Sequence, residues 1–194
     1  MSSIVWTSKN ASVLALPEGA WIVLGFLLDG AGPRSGYDLQ AQAARSVAHF
    51  WPITKAHVYS ALPRLESAGL VTSEHVEQIG VPDKRIFKPT PLGRSAFTQW
   101  LMDTDLGAAK LRHPLLVKIF FGSMLAPAAL HDLLDRHEKQ CRQGIAQFKS
   151  LIDAAKIAGS VEEKKFRLLT IRHGVASLEA ELKWIISARK IIAN

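Results

Sequence analysis

Residues 54–70, TKAHVYSALPRLESAGL, decide how the rest of the chain reads. Advancing 100° per residue from Leu62 puts Val58, Leu65 and Gly69 on one face, flanked by Lys55, Tyr59 and Glu66. His57, Ser60, Arg64 and Ser67 fall on the opposite face. One face is suited to burial and the other carries hydrogen-bonding groups at i, i+3 and i+7. Thr54 stands where an N-cap belongs, and Ala68-Gly69 where a helix stops. Pro63 is the anomaly, because it removes its own N–H and crowds the carbonyl of Tyr59. On the same wheel it lies at the edge of the exposed face. Two readings follow: a bend that fits the helix to a groove, or a kink tolerated because Val58, Leu62 and Leu65 still bury.

Upstream, Leu16 to Leu28 is a strongly apolar helix ended by Asp29-Gly-Ala-Gly-Pro33, and Gly36 to about Val47 is a second helix with Ser35 as N-cap. Phe50-Trp51-Pro52 forms an apolar connection. Downstream, Leu70 to Val76 and Arg85 to Pro89 are β-prone around Gly80, Pro82 and Asp83, which spells a hairpin. Thr90-Pro91-Leu92 opens a fourth helix running to about Met102. Helix, helix, helix, hairpin, helix is the layout of a winged helix-turn-helix. In such a unit the second helix of the pair meets base edges in the major groove. Lys55 then reaches a phosphate, Arg64 can fork onto a guanine, and His57 or Ser60 meets bases or phosphates. Taken alone, this face equally describes a solvated surface helix. Its place between a short helix and a basic-tipped hairpin is what argues for DNA, with Lys84, Arg85, Lys88 and Arg94 the local basic cluster, diluted by Asp83.

The composition agrees with a folded protein. Apolar residues make up 48% and charged residues 21% of 194 residues, which excludes disorder on compositional grounds. The longest apolar run, Ala20 to Leu28, cannot span a bilayer. No signal-peptide pattern opens the chain, so a cytoplasmic location is expected. The one cysteine, Cys141, rules out an internal disulfide. The net charge of +7 suits a polyanion partner, yet its distribution does not mark the DNA-binding half. Residues 1–102 hold nine Lys/Arg against seven Asp/Glu, and residues 103–194 fifteen against ten. The first ten residues read as an arm.

Beyond Met102 the pattern is helical throughout. His113 to Met124 is short and apolar, and Pro127 restarts the chain. Residues 127–156 place Leu130, Leu134, His137, Cys141, Phe148 and Leu151 on one stripe. After Ala158-Gly-Ser160, Leu168, Ile171, Val175, Leu178, Leu182, Ile185 and Ile192 step by threes and fours, with Arg189 the polar entry to the register. That is a coiled-coil seam, and it needs a partner helix in this chain or in another.

Several strings carry a family resemblance. Ser35-Gly36-Tyr37-Asp38-Leu39, then Val58-Tyr59, Leu62, Arg64-Leu65-Glu66 and Gly69-Leu70-Val71, then Lys84-Arg85-Ile86-Phe87 and Gly93-Arg94, resemble the PadR family of transcriptional regulators. Leu111-Arg112-His113-Pro114-Leu115-Leu116-Val117-Lys118-Ile119-Phe120-Phe121 looks like the start of the helical C-terminal domain in its longer members. The resemblance covers roughly residues 16–190. It implies a homodimeric regulator, usually a repressor, that binds a palindromic DNA operator through Lys55, His57, Tyr59, Ser60 and Arg64, with Lys84, Arg85 and Lys88 on the wing. It implies a dimer interface in the C-terminal helices, here Leu168, Ile171, Val175, Leu178, Leu182 and Ile185. It also supports a pocket for a small aromatic effector, with Trp100, Phe120, Phe121 and Trp184 as lining and Arg112 and His113 for an acidic group. Ordinary core packing is the plainer reading of those aromatics. Two positions depart from the family: Ser60 stands where proline is common, and Phe87-Lys88-Pro89-Thr90 replaces tyrosine-x-leucine-threonine, which is expected to shorten the wing.

Other constellations carry less. His131 and Asp135 share a helix face, but His137 lies elsewhere, and two ligands do not make a zinc site. His137 and Cys141 at i, i+4 could activate a thiol, although a cysteine on a seam is usually an inert small hydrophobe. Asp103 and Asp105 read as linker. No P-loop, Rossmann fingerprint or nucleophile elbow is present. The expectation is a mainly α protein with a winged helix-turn-helix at 11–104 and a helical dimerisation domain at 105–194, no cofactor and no metal. The rivals are a metal-dependent enzyme using His131, Asp135 and His137, and a protein-interaction module without a DNA target.

Overall fold

The computed structural model describes residues 16–29, 32–77, 84–104, 113–155 and 160–192. The chain forms two compact units, Met1–Ala108 and Ala109–Asn194. The expected N-terminal arm, the turn containing Gly80, Pro82 and Asp83, Asp105 and Arg112 lie outside the described residues.

In the first unit, helix α1 (Glu18–Leu28) is followed by a two-residue strand β1 (Arg34–Ser35) and helix α2 (Gly36–Ser46). Helix α3 (Lys55–Ser67), strands β2 (Val71–Val76) and β3 (Lys84–Pro89) and helix α4 (Pro91–Met102) complete it. The three helix starts that the sequence marks are built as expected. Ser35 and Asp38 form a capping box, as do Thr54 and His57, and Thr90 accepts from the Gly93 N–H with Pro91 at the first helical position. β1 was not foreseen, since a two-residue strand leaves no period to read. It pairs antiparallel with β3 (Arg34 with Phe87), giving the order β1-β3-β2. β2 and β3 stay in register from Val76↔Lys84 to Val71↔Pro89. Pro89 ends β3 opposite Val71, at the strand end where a missing ladder N–H costs least.

α1 is the centre of this unit. Val23 and Leu24 are fully buried, and Leu39, Val58, Leu62, Leu65, Leu70 and Phe87 close around them from α2, α3 and the sheet. Trp100 stacks on Trp21, with centroids 5.6 Å apart and planes 8° from parallel. Despite Pro63, α3 runs without a break. Val58, Ala61, Leu62 and Leu65 are buried, while Pro63 and Tyr59 are exposed, which gives water access to the carbonyl that lost its partner.

The exit of α3 is sharply defined. Gly69 has φ +71°, the Leu70 N–H donates to the Leu65 carbonyl and the Gly69 N–H to that of Glu66, which is a Schellman ending. Thr90 closes the corner. Its hydroxyl lies 2.8 Å from the Gly69 carbonyl and 3.2 Å from that of Leu70, and it accepts from the Gly93 N–H at 3.0 Å. A Cβ on Gly93 would lie 2.1 Å from the Leu70 carbonyl oxygen.

The second unit is helical. Its helices are α5 (Pro114–Phe120), capped by His113, α6 (Pro127–Ala155) and α7 (Val161–Ile192), with a 3-10 turn at Gly122–Met124. Ser160 and Glu163 box the start of α7. α6 and α7 pack together as a long hairpin. Its glycines are docking points: a Cβ on Gly144 would meet Leu178 at 2.6 Å and one on Gly174 would meet Phe148 at 2.5 Å. Of the two partners left open for the seam, α6 of the same chain covers one side of it. Ile171 and Ile185 are buried by their own chain, and Leu168, Val175, Leu178 and Leu182 are half-buried. α5 lays Leu115 against Leu134, Ile185 and Ala188. Among the described residues no helix is long and apolar enough to cross a membrane.

Two glycines separate close approach from mere freedom. Gly93→Ala forces the Leu70 backbone to move and is expected to lower stability by about 1–3 kcal/mol. Nothing lies within 4 Å of a Cβ on Gly19 in α1, so Gly19→Ala should raise it by roughly 0.5–1 kcal/mol. Urea unfolding of both variants beside the wild type checks the pair.

Candidate nucleic-acid interface

The polar face of α3 is exposed as the sequence predicts: His57, Ser60, Arg64 and Ser67 all reach solvent, as do Lys55 and Tyr59. Each side chain has a specific hydrogen-bonding state. The His57 Nδ1 accepts from the Thr54 N–H at 3.2 Å, so in the neutral ring the proton is on Nε2. Outward, His57 is then a donor, suited to a phosphate oxygen, guanine N7 or O6, or thymine O4. Ser60 donates its hydroxyl proton to the His57 carbonyl at 3.1 Å and presents its oxygen lone pairs as acceptors. The Arg64 side chain makes no hydrogen bond or ion pair among the described residues.

Tyr59 is braced from two sides. The Lys55 ammonium sits 5.6 Å from its ring centroid, and a Cβ on Gly36 would lie 3.1 Å from the ring. Gly36, in the Ser35-Gly36-Tyr37-Asp38-Leu39 string, is therefore the floor on which Tyr59 rests, linking α2 to α3. Lys55 loses side-chain freedom to this contact and is pre-placed beside the helix N-terminus.

On the wing the three cations differ. Arg85 donates through Nε to Ser73 at 2.8 Å and through a terminal nitrogen to Glu66 at 2.6 Å, and it stacks 5.3 Å over Phe87. Ser73 in turn donates to Glu66 at 2.5 Å. Arg85 is thereby a strut between the sheet and α3 rather than a loose charge. Lys88 pairs with Glu74 at 3.0 Å. Lys84 is exposed at the strand end, and its charge helps hold the Asp38 carboxyl below the usual range, behind the larger effect of the Ser35 hydrogen bonds. The sequence could not rank these cations, because their carboxylate partners come from other elements.

The six expected effector residues have different surroundings. Trp100 belongs to the core of the first unit, on Trp21 and Phe97. Arg112 lies outside the described residues. In the second unit Trp184 packs partly buried beside Leu182 and Ile185. Phe120 is 81% exposed and meets Phe121 edge-on. Phe121 lines an apolar groove of about 590 Å³ with Val117, Met124, Leu125 and Leu133, edged by Lys118, Arg136 and Asp132. His113 faces Glu181, not an acid from solution.

The rival metal cluster does not form. Asp135 pairs with Arg189, and His137 turns instead to Glu181 at 3.1 Å. Cys141 is buried, and burial first, then the charges of Glu181 and Glu138, push its thiol up. An activated thiolate there is excluded by its surroundings.

Comparison with known proteins agrees with this geometry. The transcriptional regulator PadR-like family matches residues 23–99, and the virulence activator alpha C-terminal family matches residues 111–193. A probable transcriptional regulator of Mycobacterium tuberculosis is 32% identical over 69 residues, 36% of this chain and 36% of that protein. The chain thus matches little more than a third of that relative's length. Bacillus subtilis PadR in complex with operator DNA superposes with a TM-score of 0.78 at 18% identity, covering 91% of this chain and 99% of that one. The same protein in complex with p-coumaric acid gives a TM-score of 0.71 at 17% identity, over 98% and 99% of the two chains. Residues 23–99 thus match the PadR-like family, residues 111–193 match the virulence activator alpha C-terminal family, and the fold is that of a winged-helix unit followed by a helical C-terminal unit.

The strut on the wing has a pH signature. Hydrogen bonding from Ser73 first, then Arg85, lowers the Glu66 carboxyl below its ordinary value of 4.5. Its contribution is complete above the unfolded value and is lost as pH falls through the lowered folded one. The urea midpoint of Glu66→Gln should fall below wild type by a small amount near neutrality, under about 1 kcal/mol for so exposed a pair. That gap should close as pH drops below 4.5.

Proposed function

We propose that this chain regulates transcription as a cytoplasmic homodimer that binds a palindromic operator, with α3 in the major groove and the β2–β3 wing along the neighbouring backbone. The observation that carries the reading is the outward face of α3. Arg64 is uncommitted there, while His57, Ser60 and Tyr59 are held by local contacts that fix what each offers. A face preorganised in this way loses little side-chain entropy on binding. Bacillus subtilis PadR, which shares the fold, has been solved on operator DNA, and this supports the same docking here.

Repression relieved by a small acidic aromatic compound is part of the same proposal. The groove beside Phe121 is apolar, and at its edge Lys118 and Arg136 outnumber Asp132, a combination that suits a flat acid. Release of DNA requires that the compound bind the DNA-incompetent state more tightly.

Dimerisation rests on what the hairpin leaves uncovered. Phe166, Leu169 and Ile191 are more than half exposed and lie within about 60° of one another on the side of α7 turned away from Ile171 and Ile185. A second copy would bury them, and two-fold pairing would set two α3 helices about one DNA turn, roughly 34 Å, or a multiple apart.

Gel shifts on the DNA upstream of the chain's own gene test the reading. Arg64→Ala should cost about 1–3 kcal/mol on the operator and little on random DNA. Lys84→Ala should weaken both equally and reduce the slope of log K against log salt by about one. Equal losses for Arg64→Ala on both DNAs would remove its base-reading role.

Light scattering tests assembly on the same samples. Phe166→Glu combined with Leu169→Glu is expected to give folded monomers that no longer bind the operator. Leu178→Glu should instead lower the melting temperature, because Leu178 packs against Gly144 inside one chain.

A further inference from the structure

Three side chains distant in sequence meet in the second unit: His113 at the start of α5, His137 on α6 and Glu181 on α7. One ring nitrogen from each histidine and a Glu181 carboxylate oxygen all lie within 4.8 Å of one another. The two Nε2 atoms face the same oxygen, Oε2, at 3.4 Å from His113 and 3.1 Å from His137. The side chains are 17%, 20% and 32% exposed, so the cluster is sheltered yet reachable. A groove of about 420 Å³ opens beside it, lined by His113, His137, Leu133, Lys118, Arg136 and Gln140.

We infer that His113, His137 and Glu181 form a binding site for a divalent transition-metal ion, with zinc the best fit. Four ligands at about 2.05 Å around a tetrahedral zinc stand roughly 3.3 Å apart. The two nitrogen-to-oxygen distances already match that edge, and the two ring nitrogens lie within 4.8 Å of each other. Two imidazoles and one carboxylate are a borderline donor set, suited to zinc, nickel or copper and not to magnesium or calcium. The three ligands leave a fourth position for water or an anion, and Lys118 and Arg136 at the groove favour an anion there.

The protons balance simply. Without metal the ionised Glu181 accepts from both Nε2–H groups. The cation replaces those two protons, and each neutral ring carries its proton on Nδ1 instead. For His113 this displaces the Leu116 N–H that its Nδ1 accepts as the helix cap. That bond is 3.4 Å long, beyond the usual range, so little is lost with it. This proposal departs from the expectation of no metal. It does not revive the catalytic rival, because His131 and Asp135 take no part.

The test uses the full chain, stripped with a chelator and then titrated with ZnCl2 by calorimetry. A parallel Co2+ titration reads the intense visible bands of four-coordinate cobalt. One equivalent per chain is expected, with four-coordinate bands and a rise in melting temperature that grows with free zinc. His137→Gln, Glu181→Gln and His113→Asn should each weaken binding at least about 100-fold. Asparagine at 113 keeps an N-cap, and circular dichroism checks that each variant is folded. His131→Gln and His173→Gln should bind as wild type does. No stoichiometric binding, or binding that survives all three ligand substitutions, would overturn the site. Gel-shift results do not bear on it, so the DNA reading and the metal site fail independently.

Discussion

The corner where α3 ends is the constraint on which the DNA-binding unit depends. Gly69 turns the chain through a left-handed residue, the Leu70 carbonyl receives both the Thr90 N–H and its hydroxyl, and Gly93 permits α4 to approach that carbonyl. One backbone carbonyl thus joins the recognition helix, the first wing strand and the start of α4. The angle between α3 and the wing is set there, within a few residues of sequence on each side. The Glu66–Ser73–Arg85 strut holds the same angle from the solvent side. An exposed ion pair of this kind adds little stability. Its effect is to keep helix and hairpin at a fixed separation, and a two-part DNA contact needs that more than it needs affinity from either part.

A second consequence concerns charge. The chain is strongly basic, yet two of the three wing cations have carboxylate partners within the chain. In the proposed DNA complex the excess positive charge would serve long-range attraction to a polyanion, whereas discrimination would fall to a few groups whose hydrogen-bonding sense is fixed. His57 presents a donor, Ser60 an acceptor and Arg64 a fork of donors. A base step is read by such a pattern and not by net charge.

In the second unit the same economy of neutralisation appears in the α6–α7 hairpin. Arg189, the polar break in the apolar register, is held between Asp135 and Glu138 of α6. Glu181 lies under two histidines. Polar residues at the edge of a long apolar seam fix which register the two helices adopt, since a slip of one turn would leave each charge without its partner.

The sequence by itself determined the helices of the first unit and its β2–β3 hairpin, though not β1. Apolar spacing defined α1 to α4, the capping residues Ser35, Thr54 and Thr90 fixed where helices start, and Gly69 fixed where α3 stops. These signals are local, each involving residues within one or two turns, so a single chain displays them. The outward face of α3 was legible for the same reason. Tertiary structure alone decided the partners of charges and of faces. Arg85 meets Glu66 from 19 positions away, and His113 and His137 meet Glu181, with 44 positions separating the second pair. A heptad pattern states that a seam exists without saying which helix covers it. Here α6 of the same chain packs along one side of it. The physical reason is common to all these cases: periodicity and capping report a residue's direction on its own element, whereas ion pairing, metal ligation and seam partners depend on how separate elements pack.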